Sequence, residues 1–182
     1  NGFVYNLVDG FFRLVVFFSY LWLITRWSEM KRVFQYHGAE HKSVYAFEAG
    51  KALTVENAKR FSTLHPRCGT AFILVVLLMS ILFFAVVFPL VPVLSGSAGF
   101  MKQVAAIFMK VLFIFPIAGL AYEIIKFSSK NMDRRLVRLA VLPGLWMQRL
   151  TTREPRDDQL EVALAALRSA VEGQGRVAGG VV

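Results

Sequence analysis

Residues Thr70 to Leu94 read TAFILVVLLMSILFFAVVFPLVPVL, and no charged side chain occurs anywhere from Cys68 to Met101. At 1.5 Å per residue this run reaches about 37 Å, more than the hydrocarbon core of about 30 Å. A backbone in lipid must satisfy its own N–H and C=O groups, so the run is expected to form a transmembrane helix.

Two further stretches read the same way. Val104 to about Ile125 is apolar apart from Lys110 and Glu123 and carries Pro116, all tolerable where they face protein or reach the interface. Leu7 to Thr25 is a weaker candidate, with Asp9 and Arg13 near its start and a short continuous apolar part from Leu14 to Ile24. The chain has 182 residues, 56% of them hydrophobic and 18% charged, which suits one domain with lipid covering its apolar excess. The expected fold is therefore an all-α integral membrane protein with about three transmembrane helices, near 7–25, 70–94 and 104–125. Asn1 follows neither an initiator methionine nor a basic leader, so an incomplete amino terminus and no signal peptide are expected.

Charge orients the chain. Eight Lys or Arg lie between Arg26 and Arg67 and ten from Lys126 onward, whereas the connection between the two stronger spans holds only Lys102. The positive-inside rule then makes the polar segment 28–67 and the C-terminus cytoplasmic and the Ser95 to Gln103 loop external. The formal charge of +9 thus points to anionic lipid in the bilayer rather than to nucleic acid. A lone cysteine excludes an internal disulfide.

Between the first two spans the sequence predicts a helical hairpin, 28–67. Ser28 is a candidate cap for a helix reaching about Ala49, with Gly50 as its stop. Met30, Val33, Phe34, His37, His41, Val44 and Tyr45 recur at three- and four-residue steps and define its inward face. Thr54 can cap a short helix through Phe61, and Ser62 to Gly69 returns to the membrane. After the third span, 136–150 suits an interfacial piece broken at Pro143-Gly144. Residues 157–171 form an amphipathic tail helix whose stripe of Leu160, Ala163, Leu164, Leu167 and Val171 needs a partner, in this chain or another protein. Residues 1–172 make the single membrane domain and 173–182 a flexible tail.

The chemistry-bearing residues sit in the hairpin. His37-Gly38-Ala39-Glu40-His41 has the H-x-x-E-H form, which stacks two imidazoles one helical turn apart with Glu40 beside them. It mirrors H-E-x-x-H, where two histidines bind zinc and the glutamate acts as general base. All three histidines and the cysteine lie between His37 and Cys68, and His65 and Cys68 form a second pair at ligand spacing. Imidazole with thiolate favours zinc. A third or fourth ligand can come from His65, Cys68 or Glu123; three protein ligands leave an open catalytic position, and His37, His41, His65 and Cys68 together would close a structural site. Each residue also has an ordinary reading: a hydrogen-bonded histidine, a small apolar Cys68, a Glu123 paired with Lys126 or a tail arginine, and Arg67 and Lys42 on lipid phosphate.

At Tyr36 to Lys42, YHGAEHK, the chain resembles the YqhQ-type bacterial membrane proteins. LTVENAKRFSTLHPRCGT at Leu53 to Thr70, AYEIIKF at Ala121 to Phe127 and PGLWMQRLTTREPRDDQLEVA at Pro143 to Ala163 extend the resemblance in order, over about Arg32 to Leu167. The resemblance implies a predicted metal-dependent enzyme of the bacterial cytoplasmic membrane. Its motifs fall on His37, Glu40, His41, His65, Cys68 and Glu123. Family members usually also carry an amino-terminal soluble portion with a glycine-rich segment, which is not in this sequence. The expected function is a zinc-dependent membrane hydrolase of peptidase or amidase type, with Glu40 activating water; the alternative is a membrane scaffold or assembly subunit with a structural metal site.

Overall fold

A computed structural model describes residues 2–90 and 99–179. Among these residues the chain forms seven helices and no strand. They are α1 (Gly2–Ile24), α2 (Ser28–Glu48), α3 (Val55–Lys59), α4 (Gly69–Leu90), α5 (Phe100–Lys130), α6 (Arg135–Thr151) and α7 (Asp157–Gly179). Three segments, Phe3–Ile24, Gly69–Val87 and Gln103–Lys130, are long and apolar enough to cross a membrane. The first begins four residues before the expected Leu7, because Asp9 and Arg13 form an i,i+4 ion pair at 2.6 Å along the helix rather than ending it. The third runs past Ile125, since nothing breaks it before Asn131, whose backbone N–H and side-chain amide donate to the Ser128 and Phe127 carbonyls. Residues 91–94 of the expected second span, 95–98 of the expected external loop and 180–182 of the expected tail lie outside the described residues.

The chain divides into two compact units. One comprises 1–20 and 69–144, the other 21–68 and 145–182. In the first, a Cβ placed on Gly10 would lie 2.2 Å from Ile81 Cγ2, so α1 and α4 cross at van der Waals distance. Gly144 likewise sits against Ala71, which is buried. Helix α6 continues through Pro143-Gly144, where a break was expected. Proline removes one N–H from the ladder, and a single lost hydrogen bond does not end a helix packed on its small residues.

The second unit has its own core. Ala39 and Ala46 on α2, Ala58 on α3, and Leu160 and Leu164 on α7 form a buried cluster. Small side chains at 39, 43 and 46 let α7 lie close, and Ser43 returns its hydroxyl to the Ala39 carbonyl. Leu160 and Leu164 of the tail stripe are therefore covered within the chain. Helix α7 starts with acidic Asp157 and Asp158 in its first turn, and Gln159 accepts from the Arg156 N–H, one half of a capping box.

Helix α2 is stopped as expected. Gly50 has φ 62°, its N–H donates to Phe47 and the Lys51 N–H donates to Ala46, the paired bonds of a Schellman motif. Its start differs from expectation: Ser28 is already helical, and Trp27 is the cap residue, with extended backbone and no side-chain capping bond. Thr54 does cap α3, accepting from the Asn57 N–H.

Candidate metal centre

The α2 helix presents His37 and His41 one turn apart, with ring centroids separated by 4.4 Å. Each imidazole is oriented by a backbone carbonyl. His37 Nδ1 lies 2.7 Å from the Thr151 oxygen at the end of α6, and His41 Nδ1 lies 2.5 Å from the Thr63 oxygen in the return segment. A carbonyl only accepts, so both rings carry the proton on Nδ1 and, when neutral, keep a lone pair on Nε2. This is the arrangement by which a histidine is prepared as a metal ligand.

Cys68 closes the group. Its sulfur lies 3.2 Å from His37 Nε2, and one donor atom each from His37, His41 and Cys68 fall within 4.8 Å of one another. Tetrahedral zinc, with Zn–N of about 2.0–2.1 Å and Zn–S of about 2.3 Å, places such donors about 3.3–3.6 Å apart. The donor set is one that zinc takes, and the Cys68–His37 separation of 3.2 Å is close to that spacing, while the other separations are bounded only by 4.8 Å. A Cys–His pair at this distance also resembles a nucleophile with its base, and the 3% exposure of Cys68 restricts substrate access equally in either use.

Burial pushes the His37 pKa down, yet the bond to the Cys68 sulfur and the Thr151 carbonyl outweigh it, and the value ends above the ordinary one. His65 moves the other way. Its burial lowers the pKa despite the pull of Glu48. Its ring is also engaged on both sides: Nδ1 accepts from the Arg67 N–H, and Nε2 faces Glu48 at 3.4 Å. In this arrangement His65 braces the segment beside the cluster, its ring 5.7 Å from that of His41.

The return segment has no regular structure, so its backbone groups find partners on neighbouring helices. Tyr45 donates its hydroxyl to the Leu64 carbonyl, one turn beyond the His41 contact to Thr63. Gln148 on α6, fully buried, accepts from the His65 N–H and donates to the His65 carbonyl, both at 2.8 Å. These bonds set where Cys68, three residues on, enters the cluster. The partners of the two α2 histidines and the Gln148 clasp were not anticipated. Only Gln148 leaves a trace in sequence, as an amide within an apolar helix.

Glu40 is exposed and lines a groove of about 390 Å³ between α2 and α7, with Tyr36, Val44, Val162 and Leu167 among its walls. At about 100° per residue it stands about 60° around α2 from His37, the mirror of the offset between glutamate and second histidine in H-E-x-x-H. Glu123 belongs to the other unit, on α5, where its exposed carboxylate lies 3.5 Å from Lys126 Nζ. Lys42 is not available to lipid phosphate. It is buried, donating to the Lys59 carbonyl and pairing with Glu154 at 2.6 Å. Arg67 pairs with Glu48.

Gly38, inside the H-x-x-E-H stretch, has a steric cause. A Cβ there would lie 2.1 Å from the Arg153 carbonyl oxygen, and the Arg153 N–H donates to the Phe34 carbonyl from the same loop. The chain linking α6 to α7 thus passes directly over the α2 backbone.

Comparison with known proteins matches residues 1–173 to a family described as Protein of unknown function (DUF1385). The chain is 36% identical over 157 residues to "Uncharacterized protein YqhQ" of Bacillus subtilis (strain 168). That alignment covers 86% of this chain and 46% of the relative, so the chain spans about half the relative's length. No solved structure matches. A match across nearly the whole chain, joined to this identity, shows that the chain belongs to the DUF1385 family of YqhQ-like proteins.

Proposed function

We propose that the chain holds one zinc ion through His37, His41 and Cys68 and acts as a zinc-dependent hydrolase of amide bonds at the cytoplasmic membrane face. The observation that carries this reading is the convergence of three donors within 4.8 Å, with both imidazoles oriented by carbonyls through Nδ1. Bound zinc supplies Lewis acidity, which polarises a carbonyl and makes water acidic near neutral pH. Three protein ligands match a catalytic centre with one open position better than a closed structural one. Glu40 is the candidate general base by its place in the H-x-x-E-H stretch, although the groove it lines against α7 includes none of the three ligands. The basic residues of the hairpin and C-terminal region support the cytoplasmic orientation.

A second reading, a scaffold with a structural metal site, draws on the burial of His41 and Cys68, which are 5% and 3% exposed. One set of measurements separates the two. Purified protein should contain about one zinc per chain, X-ray absorption should show one light-atom ligand beyond the three side chains, and hydrolysis of a peptide-amide library should vanish in Glu40→Gln with zinc retained. Zinc no higher than in the His41→Ala and Cys68→Ala double variant removes the metal centre altogether. Zinc with His65 as fourth ligand, and no turnover, favours the scaffold.

A further inference from the structure

Helix α6 carries an apolar strip on its exposed side. Leu136, Leu139, Leu142 and Trp146 recur at steps of three, three and four residues, and they are 48–82% exposed. At about 100° per residue they occupy an arc of about 120°. The other side of the helix turns Gly144, Met147 and Gln148 inward, all buried, which fixes the direction of the strip. Four large apolar side chains in one contiguous row mark a surface that something covers.

Two anchors place the strip. Segments Gly69–Val87 and Gln103–Lys130 are long and apolar enough to cross a membrane, and two successive crossings return the chain to the face it left. The start of the first segment and the end of the second therefore share a face. Arg135 opens α6 five residues after Lys130, a reach of at most about 18 Å. At Gly144 a Cβ would lie 3.1 Å from the Ala71 Cβ, and Ala71 is the third residue of the first segment. The stretch from Arg135 to Gly144 is thus tied to that face at both ends.

Charge identifies what meets it there. From Asn131 to Arg153 five arginines stand against one acid, Asp133. Arg134, Arg135 and Arg138 are exposed and make no ion pair among the described residues. Arg138 lies about 40° around the helix from Leu142, at the edge of the strip. Arginine stems lie along apolar surface while the guanidinium reaches outward, and a guanidinium takes a phosphate through paired hydrogen bonds. A protein partner would have to bring acids to these arginines and reach a helix tied to the spans. Phospholipid offers the acyl boundary and the phosphates together.

We propose that this face of α6 is a docking surface for anionic phospholipid. Leu136, Leu139, Leu142 and Trp146 enter the headgroup–acyl boundary, and Arg134, Arg135 and Arg138 hold the phosphates. The surface stands apart from the histidine cluster and needs neither metal nor hydrolysis.

The first test uses the full chain in nanodiscs of phosphatidylcholine and phosphatidylglycerol. A nitroxide label at Leu139→Cys or Leu142→Cys should be relaxed far more by dissolved oxygen than by a water-soluble nickel chelate, with the parent chain as labelling blank because Cys68 is buried. The reverse order places the strip in water, and access to neither reagent places it under protein; each overturns the proposal. The second test counts lipid retained in nonionic detergent by native mass spectrometry. Phosphatidylglycerol should be retained above phosphatidylcholine, and Arg135→Gln and Arg138→Gln should each lower that preference about fivefold. Arg138→Lys should preserve it. A preference unchanged in both glutamine variants overturns the anionic selectivity. Loss in Arg138→Lys as complete as in Arg138→Gln also overturns it, since that marks packing rather than charge.

Discussion

The two polar clusters of this chain are built by opposite means. Around His37, His41 and Cys68, direction comes from the backbone: carbonyls of Thr151 and Thr63 aim the rings, and Gln148 clasps the segment that delivers the sulfur. Around Asp9, Arg13, Ser80 and Lys110, side chains from three helices surround a small hollow, and the Asp9–Arg13 pair beside it is about half exposed. The first arrangement suits a ligand with strict geometry, such as a d¹⁰ cation bound by lone pairs.

The largest expected effect tests whether the aimed histidines differ from His65. His41→Ala or Cys68→Ala should reduce zinc affinity by more than the roughly 10- to 100-fold that follows loss of an orienting partner, while His65→Ala should stay below that range. Competition with a zinc chelator reads all three, and equal losses would erase the distinction. Next is Gln148→Leu, which strands a buried N–H and C=O of His65 and should cost about 3 kcal/mol in thermal or denaturant unfolding. An effect below about 1 kcal/mol would mean the return segment is held elsewhere.

A paired substitution then compares the clusters directly. Gly38→Ala drives a methyl into the Arg153 carbonyl, which belongs to a backbone that cannot turn aside, and should destabilise by about 2 kcal/mol. Gly10→Ala meets Cγ2, Cγ1 and Cβ of Ile81, the branched base of a side chain with little χ1 freedom in a helix, so the helices must shift to admit it, and the gain in helix propensity of about 1 kcal/mol offsets part of the clash. Melting temperatures of the two variants should rank in that order, and the reverse ranking contradicts the rigid account of the histidine cluster. The smallest effect belongs to the exposed Arg156–Asp158 pair. The Arg156 side-chain bond holds the Asp158 carboxyl below its usual 3.8, so its contribution is present above that value and lost as pH falls through the lowered one. Acid unfolding of Asp158→Asn should differ only slightly from the parent, and not at all in high salt.

Much of this was legible beforehand. Uncharged runs marked the spans, the i,i+4 histidines declared a shared helix face, and Gly50 marked the end of α2. What escaped reading has several physical causes. The groups that orient His37 and His41 are peptide carbonyls, which every residue type supplies, so Thr151 and Thr63 carry no signal at the level of side-chain identity. Gln148 and the burial of Lys42 depend on long-range packing between segments more than 80 and 100 residues apart in sequence. Ser28 misled because capping requires extended backbone at the serine, and here Trp27 takes that conformation. The break expected at Pro143-Gly144 failed because proline weakens a helix locally while tertiary contact at Gly144 holds it.

Gly38 also bears on how the H-x-x-E-H stretch should be used as a search pattern. Written with two free positions, the pattern admits any residue between the first histidine and the glutamate. In this fold neither position is free: the first lies under the Arg153 carbonyl, and the second, Ala39, is wholly enclosed by the α3 and α7 packing. A chain bearing the two histidines with a bulky residue at either place cannot reproduce this overlay of loop on helix, so the discriminating form of the pattern here is H-G-A-E-H, with two steric letters among three chemical ones.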